Sequence, residues 1–314
     1  MVIQKNPLLL SVRSGTAISM PGAMDTILNV GMNDEITERL SKKPKFAWSA
    51  WDSYRRLLQS WGMAFGMSRD DFDDIMEIHK VKFNVDHKTN FSPDNMKEIA
   101  YAYKATLHEN NIEFEENVFN QLIISTNFVF ESWSSERAKA YREHLEIADD
   151  WGTAVIIQEM IFGNMHDKSG TGVIFTQDPT KEMQGVSLYG DYTFRSQGED
   201  IVAGLVKPSP VGKNQPSAMG NNDSLEELCP AIYKRLNEMA IEMTENLGYG
   251  PQEVEFTLES DNPDDLYILQ IRNQDMASRE SINIFKSSII TISVMANGRR
   301  SSKSCHSYMR CQFR

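Results

Sequence analysis

Residues 252–273 read QEVEFTLESDNPDDLYILQIRN, two runs of alternating apolar and polar residues around a turn-rich centre. The runs Gln252–Leu258 and Leu266–Asn273 have the period of two that is typical of β-strands, and the SDNPDD segment between them favours a turn. The stretch therefore predicts a β-hairpin. Because side chains alternate between the two faces of a strand, Glu253 and Glu255 share one face of the first strand.

The second strand of this hairpin carries Gln270 and Arg272, which strict alternation groups with Leu266 and Ile268. Carboxylate and amide oxygens suit a hard cation such as Mg²⁺, and an arginine suits phosphate oxygens. The hairpin is therefore a candidate site for a metal ion and a phosphate group. The alternative is a solvated strand face, which is the commoner reason for polar residues in alternation.

A polar, glycine-bearing segment precedes another predicted strand. Residues 164–173 read NMHDKSGTGV, which places Thr171 and Gly172 at the end of a loop. Glycine lets backbone N–H groups approach an anion closely, and hydroxyl groups add donors. The segment predicts a phosphate-binding loop, with an ordinary hairpin turn as the alternative.

Near the N-terminus, the apolar run PLLLSV at residues 7–12 predicts a strand, and no earlier element is available to pair with it. We therefore expect this first strand to be an exposed edge. Arg13 follows it directly, and residues 14–29, SGTAISMPGAMDTILN, are small, hydroxylated or turn-forming. This setting suits a charge-assisted contact between Arg13 and a phosphate, with a plain surface arginine as the alternative.

Composition divides the chain into four parts. Residues 1–35 begin an α/β unit that we expect to be incomplete, and residues 36–150 have charged and aromatic residues at helical spacing, which predicts a helical subdomain. Residues 151–280 change to short β-type runs with glycine-bearing loops. Residues 281–314 contain Lys and Arg but no Asp or Glu. We interpret this basic tail as a degenerate terminus, with a nucleic-acid-binding arm as the alternative.

One helix is predicted in detail within residues 151–280. Ser224 and Glu227 form a capping box, and apolar residues then recur every three or four positions to Met243, until Gly248 ends the pattern. A single amphipathic helix with its apolar stripe in the core follows from this pattern.

Charge and cysteine content exclude several classes of protein. The 314 residues include 32 Lys and Arg against 44 Asp and Glu, a formal charge of −12, which argues against nucleic acid or an acidic membrane surface as a partner. Cys229, Cys305 and Cys311 are too few for a disulfide framework or a zinc site. No apolar run approaches the roughly 18 residues that span a bilayer. We therefore expect a cytoplasmic protein without a membrane or nucleic-acid partner.

The N-terminal segment resembles a known family. The sequence motif SVRSG at residues 11–15, followed by SMPGAMDTILN at residues 19–29, is similar to the motif of the pyruvate, phosphate dikinases and differs from that of the related water dikinases. Agreement extends over residues 6–279, including WGTAV, SGTGV, QGEDIVAG and LQIRN. The resemblance implies an α/β (α+β) nucleotide-binding domain of the ATP-grasp type, with a mostly helical inserted subdomain, that binds ATP and Mg²⁺ between two α/β subdomains.

The resemblance also implies roles for individual residues. Arg13 and Arg272 resemble the family's phosphate-contacting arginines, and Glu255 and Gln270 resemble its metal- and nucleotide-binding pair. The other implied nucleotide contacts are Gln158, Glu159 and Met160 on the adenine side, Thr171 and Gly172 in a loop over the phosphates, and Glu253. Two positions depart from the family: Glu253 replaces the usual Asp, and Gln177 stands where many relatives carry Arg. Both departures predict slower phosphoryl transfer, which depends on positioning and charge neutralisation.

The family's reaction converts ATP, phosphate and pyruvate to AMP, diphosphate and phosphoenolpyruvate through a phosphohistidine. None of the six histidines stands in the family's Thr-Ser-His setting, and we expect the histidine and pyruvate domains to be missing. The sequence thus predicts ATP and Mg²⁺ recognition, no catalytic residue, and a separately encoded remainder of the dikinase as partner. The alternatives are a non-catalytic nucleotide-binding or complementing subunit that docks through its first strand, and a relative of phosphoenolpyruvate synthase.

Overall fold

A computed structural model describes residues 7–18, 20, 22–179, 185–198, 200, 207–215 and 223–274. The basic tail predicted at residues 281–314 lies outside these residues. Among the helices of the described ranges, none combines the length and the apolar character needed to cross a membrane.

The first sheet has three antiparallel strands, β1 (Leu10–Gly15), β2 (Thr26–Val30) and β3 (Ala154–Glu159), in the order β2-β1-β3. β1 is therefore the central strand and is paired along both sides. The expectation of an exposed first strand is wrong, because β3, which comes much later in the chain, covers the edge that the local sequence leaves open. Sequence near β1 carries no sign of this long-range pairing.

Helices fill the chain between β2 and β3. They are α1 (Asp34–Ser41), α2 (Ser49–Ala64), α3 (Arg69–Phe83), α4 (Pro93–Glu109), α5 (Val118–Glu131) and α6 (Glu136–Leu145). The start of α4 shows why the helices begin where they do: Ser92 caps the helix through a capping box, and Pro93 occupies the first turn, where its missing N–H has no partner to lose.

The helices pack on one face of the first sheet. Val12 and Ile27 belong to the same buried core as Trp61 and Tyr103. Because side chains alternate along β1, Arg13 lies on the opposite face, away from the helices. The aromatic-rich helical core thus fixes the orientation of the face that carries Arg13.

Among the described residues, the second sheet has five antiparallel strands in the order β6-β5-β4-β7-β8. They are β4 (Gly170–Phe175), β5 (Tyr189–Phe194), β6 (Ser209–Pro210), β7 (Gln252–Leu258) and β8 (Leu266–Asn273). The hairpin predicted from residues 252–273 is confirmed with the bounds of both strands.

Within residues 223–274, two helices cover one face of the second sheet where the sequence predicts one. α7 (Leu225–Leu228) and α8 (Pro230–Ile241) are separated at Cys229, and a π-helical turn continues over Glu242–Asn246. Pro230 disfavours a helical conformation at the residue before it, so the stripe is interrupted there. The predicted core packing is confirmed for Leu225, Ile232, Leu236 and Met243, which belong to the buried core that also contains Val254 and Phe256. It is wrong for Leu228, which is 50% exposed at the end of α7.

Candidate functional site

The face of the hairpin opposite α7 and α8 carries a polar cluster. Glu255 lies opposite Gln270 and Glu253 opposite Arg272 across the two strands. Nη2 of Arg272 donates to Oε1 of Glu255 at 2.6 Å and to Oε1 of Gln270 at 3.0 Å. Its Nε lies 4.0 Å from Oε1 of Glu253. The two polar pairs therefore converge on one face of the hairpin.

A bulge in β8 produces this convergence. Phe256 pairs with Ile268 and Glu255 pairs with Gln270, so Leu269 is an extra residue between the two pairs. The strict alternation predicted for β8 is wrong, because one extra residue reverses the facing of all that follow. As a result Ile268 packs into the core while Gln270 and Arg272 lie on the polar face.

Arg13 reaches the same cluster from the first sheet. Its Nη1 lies 3.8 Å from Oε2 of Glu255, and both side chains are only about one-fifth exposed, at 22% and 21%. A second link joins the sheets, because Nε2 of Gln158 in β3 donates to the carbonyl of Leu269 at 3.4 Å. The faces of the two sheets that the helices leave uncovered thus meet at Arg13, Glu255 and Gln158.

Thr171 and Gly172 lie inside β4, so the prediction that they stand in a loop is wrong. Strand pairing on both sides with β5 and β7 draws the SGTG segment into the sheet. Thr171 is buried and its hydroxyl donates to the carbonyl of Phe256 at 3.0 Å. Its register partner is Thr257, so its side chain is on the face that carries Glu255.

Gly172 has the opposite orientation and faces the core. A Cβ at this position would lie 2.5 Å from Cζ of Phe256 and 2.8 Å from the carbonyl oxygen of Asp191. Only glycine fits at this spacing, because the Phe256 ring packs directly across the strand. The need for glycine at residue 172 is therefore explained by packing.

The three adenine-side candidates lie where the chain leaves the first sheet. The hydroxyl of Ser11 donates to the backbone carbonyl of Gln158 at 3.4 Å. Glu159 is exposed, and Met160 packs against the helical core while its N–H donates to the carbonyl of Leu9 at 2.9 Å. Gln158 is thus the one of these three with a described contact to the hairpin.

The predicted metal pair, Glu255 and Gln270, is engaged by Arg272. Within the described ranges, no three His, Cys, Asp or Glu side chains are grouped as metal ligands. The two side chains nevertheless offer oxygen atoms from neighbouring strands, and Mg²⁺ typically takes one or two protein carboxylates and completes its shell with water and phosphate. The donor chemistry therefore fits Mg²⁺ that arrives together with phosphate groups.

A cavity of about 480 Å³ lies at the ends of β1 and β3, where Gly15 pairs with Ala154. Residues that line it include Gly15, Thr16, Met20, Trp133 and Trp151. Gly15 is the last residue of β1, so the cavity begins two residues beyond Arg13 along the same strand.

Some site contacts were missed by sequence reasoning. Gln158 contacts the carbonyl of Leu269 and the hydroxyl of Ser11. Neither contact has a sequence signal, because a backbone carbonyl is common to every residue.

The structure also describes the two residues that depart from the family's sequence pattern, Glu253 and Gln177. Glu253 is at the margin of the cluster, and the N–H of Gln177 donates to Oε1 of Gln274 at 3.4 Å.

Two sheets that meet at a cluster of arginine, carboxylate and amide groups define a nucleotide-binding domain of the ATP-grasp class. A family model described as "Pyruvate phosphate dikinase, AMP/ATP-binding domain" matches residues 2–226, and the chain belongs to this family. This assignment agrees with the resemblance found in residues 11–29.

Curated relatives agree with the family. The chain is 38% identical over 286 residues to pyruvate, phosphate dikinase of Clostridium symbiosum, and 36% identical over 280 residues to that of Rickettsia typhi. It is also 38% identical over 280 residues to the chloroplastic enzyme of Flaveria trinervia. These matches cover 88 to 89% of this chain but only 28 to 30% of each relative. The chain therefore corresponds to the AMP/ATP-binding portion of the dikinase sequence.

Proposed function

We propose that this chain binds ATP with Mg²⁺ where its two sheets meet. The observation that carries the proposal is the approach of Arg13 and Arg272, from different sheets, to the same carboxylate of Glu255. Two guanidinium groups at one point provide several N–H donors in a geometry that matches phosphate oxygens.

Ligand binding then takes the form of an exchange of partners. In the free protein, Glu255 forms ion pairs with both arginines. With Mg²⁺-ATP bound, Arg13 and Arg272 would donate to phosphate oxygens, and the side-chain oxygens of Glu255 and Gln270 would hold the metal ion, which would neutralise phosphate charge. Each charged group keeps a partner of opposite sign, so the desolvation that binding imposes is compensated.

The orientation of the nucleotide follows from the positions of the other candidates. Thr171 and Glu253 are on the polar face near the phosphate-binding arginines. The end of β3, where the chain leaves the first sheet, is assigned to the adenine end of the nucleotide. It carries Gln158 and Glu159, and Met160 follows directly. Gly172 is assigned a packing role, because its Cα faces the core.

The reaction that we propose this chain serves is that of its family, the conversion of ATP, phosphate and pyruvate to AMP, diphosphate and phosphoenolpyruvate through a phosphohistidine. Since the chain spans about 30% of the relatives' length, phosphohistidine formation and pyruvate binding are assigned to the portion of the dikinase that it does not match. A polypeptide that supplies this portion is the proposed partner.

Calorimetric titration with Mg²⁺-ATP tests the binding proposal. Arg13→Ala and Glu255→Gln should each raise the Kd about tenfold or more, because each removes a charge-assisted contact. Arg235→Ala, which removes an exposed arginine from α8, is the matched control and should leave the Kd unchanged. If Arg13→Ala and Arg235→Ala changed the Kd equally, the proposal that Arg13 contacts the bound nucleotide would be wrong.

A second experiment tests the assignment of the reaction. The chain alone, supplied with ATP, phosphate, pyruvate and Mg²⁺, should form no phosphoenolpyruvate. Turnover by the chain alone would show that the portion of the dikinase outside the match is not required.

A further inference from the structure

A second polar cluster is buried around α2. Asp52 is fully buried and accepts from Nη2 of Arg55 at 2.8 Å and from Nε of Arg56 at 2.9 Å. Nζ of Lys88 lies 3.7 Å from Asp52 as well. Charges at this depth are tolerated only when each has a close partner, so the geometry of the cluster is strongly constrained.

The cluster crosses from the helices to the second sheet. Nη2 of Arg56 donates to Oδ2 of Asp200 at 2.5 Å, and Nζ of Lys88 lies 3.5 Å from Oδ1 of the same residue. Asn164, which precedes β4, donates from Nδ2 to Oδ2 of Asp52 at 3.0 Å. The helices therefore hold both the segment before β4 and the segment after β5.

The segment after β5 is fixed along its backbone. The N–H of Arg195 donates to the carbonyl of Ser169 at 2.8 Å, and that of Ser196 donates to the carbonyl of Gly163 at 3.1 Å. The N–H of Gln197 donates to Oδ2 of Asp200 at 3.2 Å, the same oxygen that Arg56 contacts. Asp200 thus joins the helix to the backbone of this segment.

Gly198 brings the segment to the candidate site. A Cβ built on Gly198 would lie 3.8 Å from the hydroxyl oxygen of Thr171. Thr171 shares its face of the second sheet with Glu255. The backbone at Gly198 is therefore placed beside one end of the polar face.

We propose that Arg56 and Asp200 are positioning residues, which hold the backbone of residues 196–198 against Thr171 and so shape one end of the nucleotide site. The inference rests on the proposed function for its role in binding. It gives the helices a task beyond covering the first sheet: they set the position of a segment that belongs to the second sheet.

Hydrogen exchange and calorimetry on the full chain test the proposal together. Asp200→Ala should increase exchange at the amides of Arg195 and Ser196 about tenfold, leave the amides of β7 unchanged, and raise the Kd for Mg²⁺-ATP about tenfold. Asp200→Asn keeps an oxygen that accepts from Gln197 and Arg56, so its effects should be smaller, and it carries the comparison if Asp200→Ala does not fold.

Asp34→Asn is the matched control. Asp34 forms an ion pair with Lys104 and accepts a hydrogen bond from the hydroxyl of Tyr54. Tyr54 lies on the side of α2 opposite Asp52 and Arg56. This variant should leave exchange at Arg195 and Ser196 and the Kd unchanged.

Each outcome decides the proposal. Unchanged exchange at Arg195 and Ser196 in both Asp200 variants overturns it, and so does increased exchange with an unchanged Kd. If the wild-type chain binds no Mg²⁺-ATP, the proposed function fails and the role in binding fails with it. The exchange data still decide in that case whether Asp200 holds the segment.

Discussion

Arg272 lies opposite Glu253 in the hairpin but donates its 2.6 Å hydrogen bond to Glu255, its diagonal neighbour. The distance to its direct partner is 4.0 Å. A long side chain reaches diagonal neighbours across an antiparallel pair, and here the choice places the guanidinium between the oxygens of Glu255 and Gln270. Arg272 is thus the group that must move if a metal ion is to contact both.

Arg272→Lys tests this bridging geometry. An ammonium group has no planar fork and contacts Glu255, Gln270 and a phosphate less well at the same time, so we expect the Kd for Mg²⁺-ATP to rise about tenfold. Titration calorimetry measures the change, with Arg235→Lys on α8 as the control. Equal affinity for Mg²⁺-ATP in wild type and Arg272→Lys would show that a single positive charge at residue 272 is sufficient for binding and that the planar guanidinium group is not needed.

Gly172→Ala tests the packing role of Gly172. The added methyl group would overlap the ring of Phe256 and the carbonyl of Asp191, so we expect the free energy of unfolding to fall by about 2 kcal/mol or more. Urea denaturation measures it. Gly198→Ala is the control for stability, because the nearest atom to its new methyl group is 3.8 Å away. A destabilisation equal in both variants would argue against overlap with Phe256.

Gln121→Leu tests the junction between α5 and the end of β2. Gln121 is fully buried, its Oε1 accepts from the N–H of Gly31 at 2.5 Å, and its Nε2 donates to the carbonyls of Met32 and Glu115 at 3.0 and 2.9 Å. Leucine leaves these backbone groups without their partner, so we expect a loss of about 3 kcal/mol in unfolding free energy. Asn120→Leu, at an exposed position of the same helix, should change stability far less. Thermal and urea unfolding distinguish the two.

Acid should weaken the buried ion cluster. Burial opposes ionisation of Asp200, but the attraction of Arg56 and Lys88 outweighs it and lowers the pKa from 3.8 to about 2. Because the folded-state pKa lies below the ordinary value, the contribution of Asp200 to stability is complete above about pH 4 and is lost as the pH falls towards 2. We expect this loss to be about 2 kcal/mol.

Urea unfolding at pH 5 and at pH 2.5 measures the acid effect. Asp200→Asn cannot titrate, so the stability of this variant should fall less between the two values than that of the wild type. Asp264→Asn removes an exposed carboxylate and should follow the wild type. An identical loss in wild type and Asp200→Asn would mean that the pair with Arg56 contributes no pH dependence.

The sequence of α2 also carries a sign of the buried ion cluster. Asp52, Arg55 and Arg56 are spaced i, i+3 and i+4, so they share one face of α2, and that helix is otherwise lined by buried aromatic and leucine residues. Charged residues on a buried face require partners. The identity of the partner, Asp200, is not encoded locally, because 144 positions separate it from Arg56.

Local patterns by themselves determined the hairpin of β7 and β8, the face of β7 that carries Glu253 and Glu255, the helical character of residues 36–150, and the family resemblance. Each depends on periodicity or wording within a short stretch, and neighbouring residues contain that information. Tertiary structure alone decided that β1 is central, that Thr171 and Gly172 lie in a strand, and that a bulge at Leu269 brings Gln270 and Arg272 to Glu255. Strand pairing causes all three, because the partner that completes a strand edge or sets its register is chosen by packing between residues far apart in the chain.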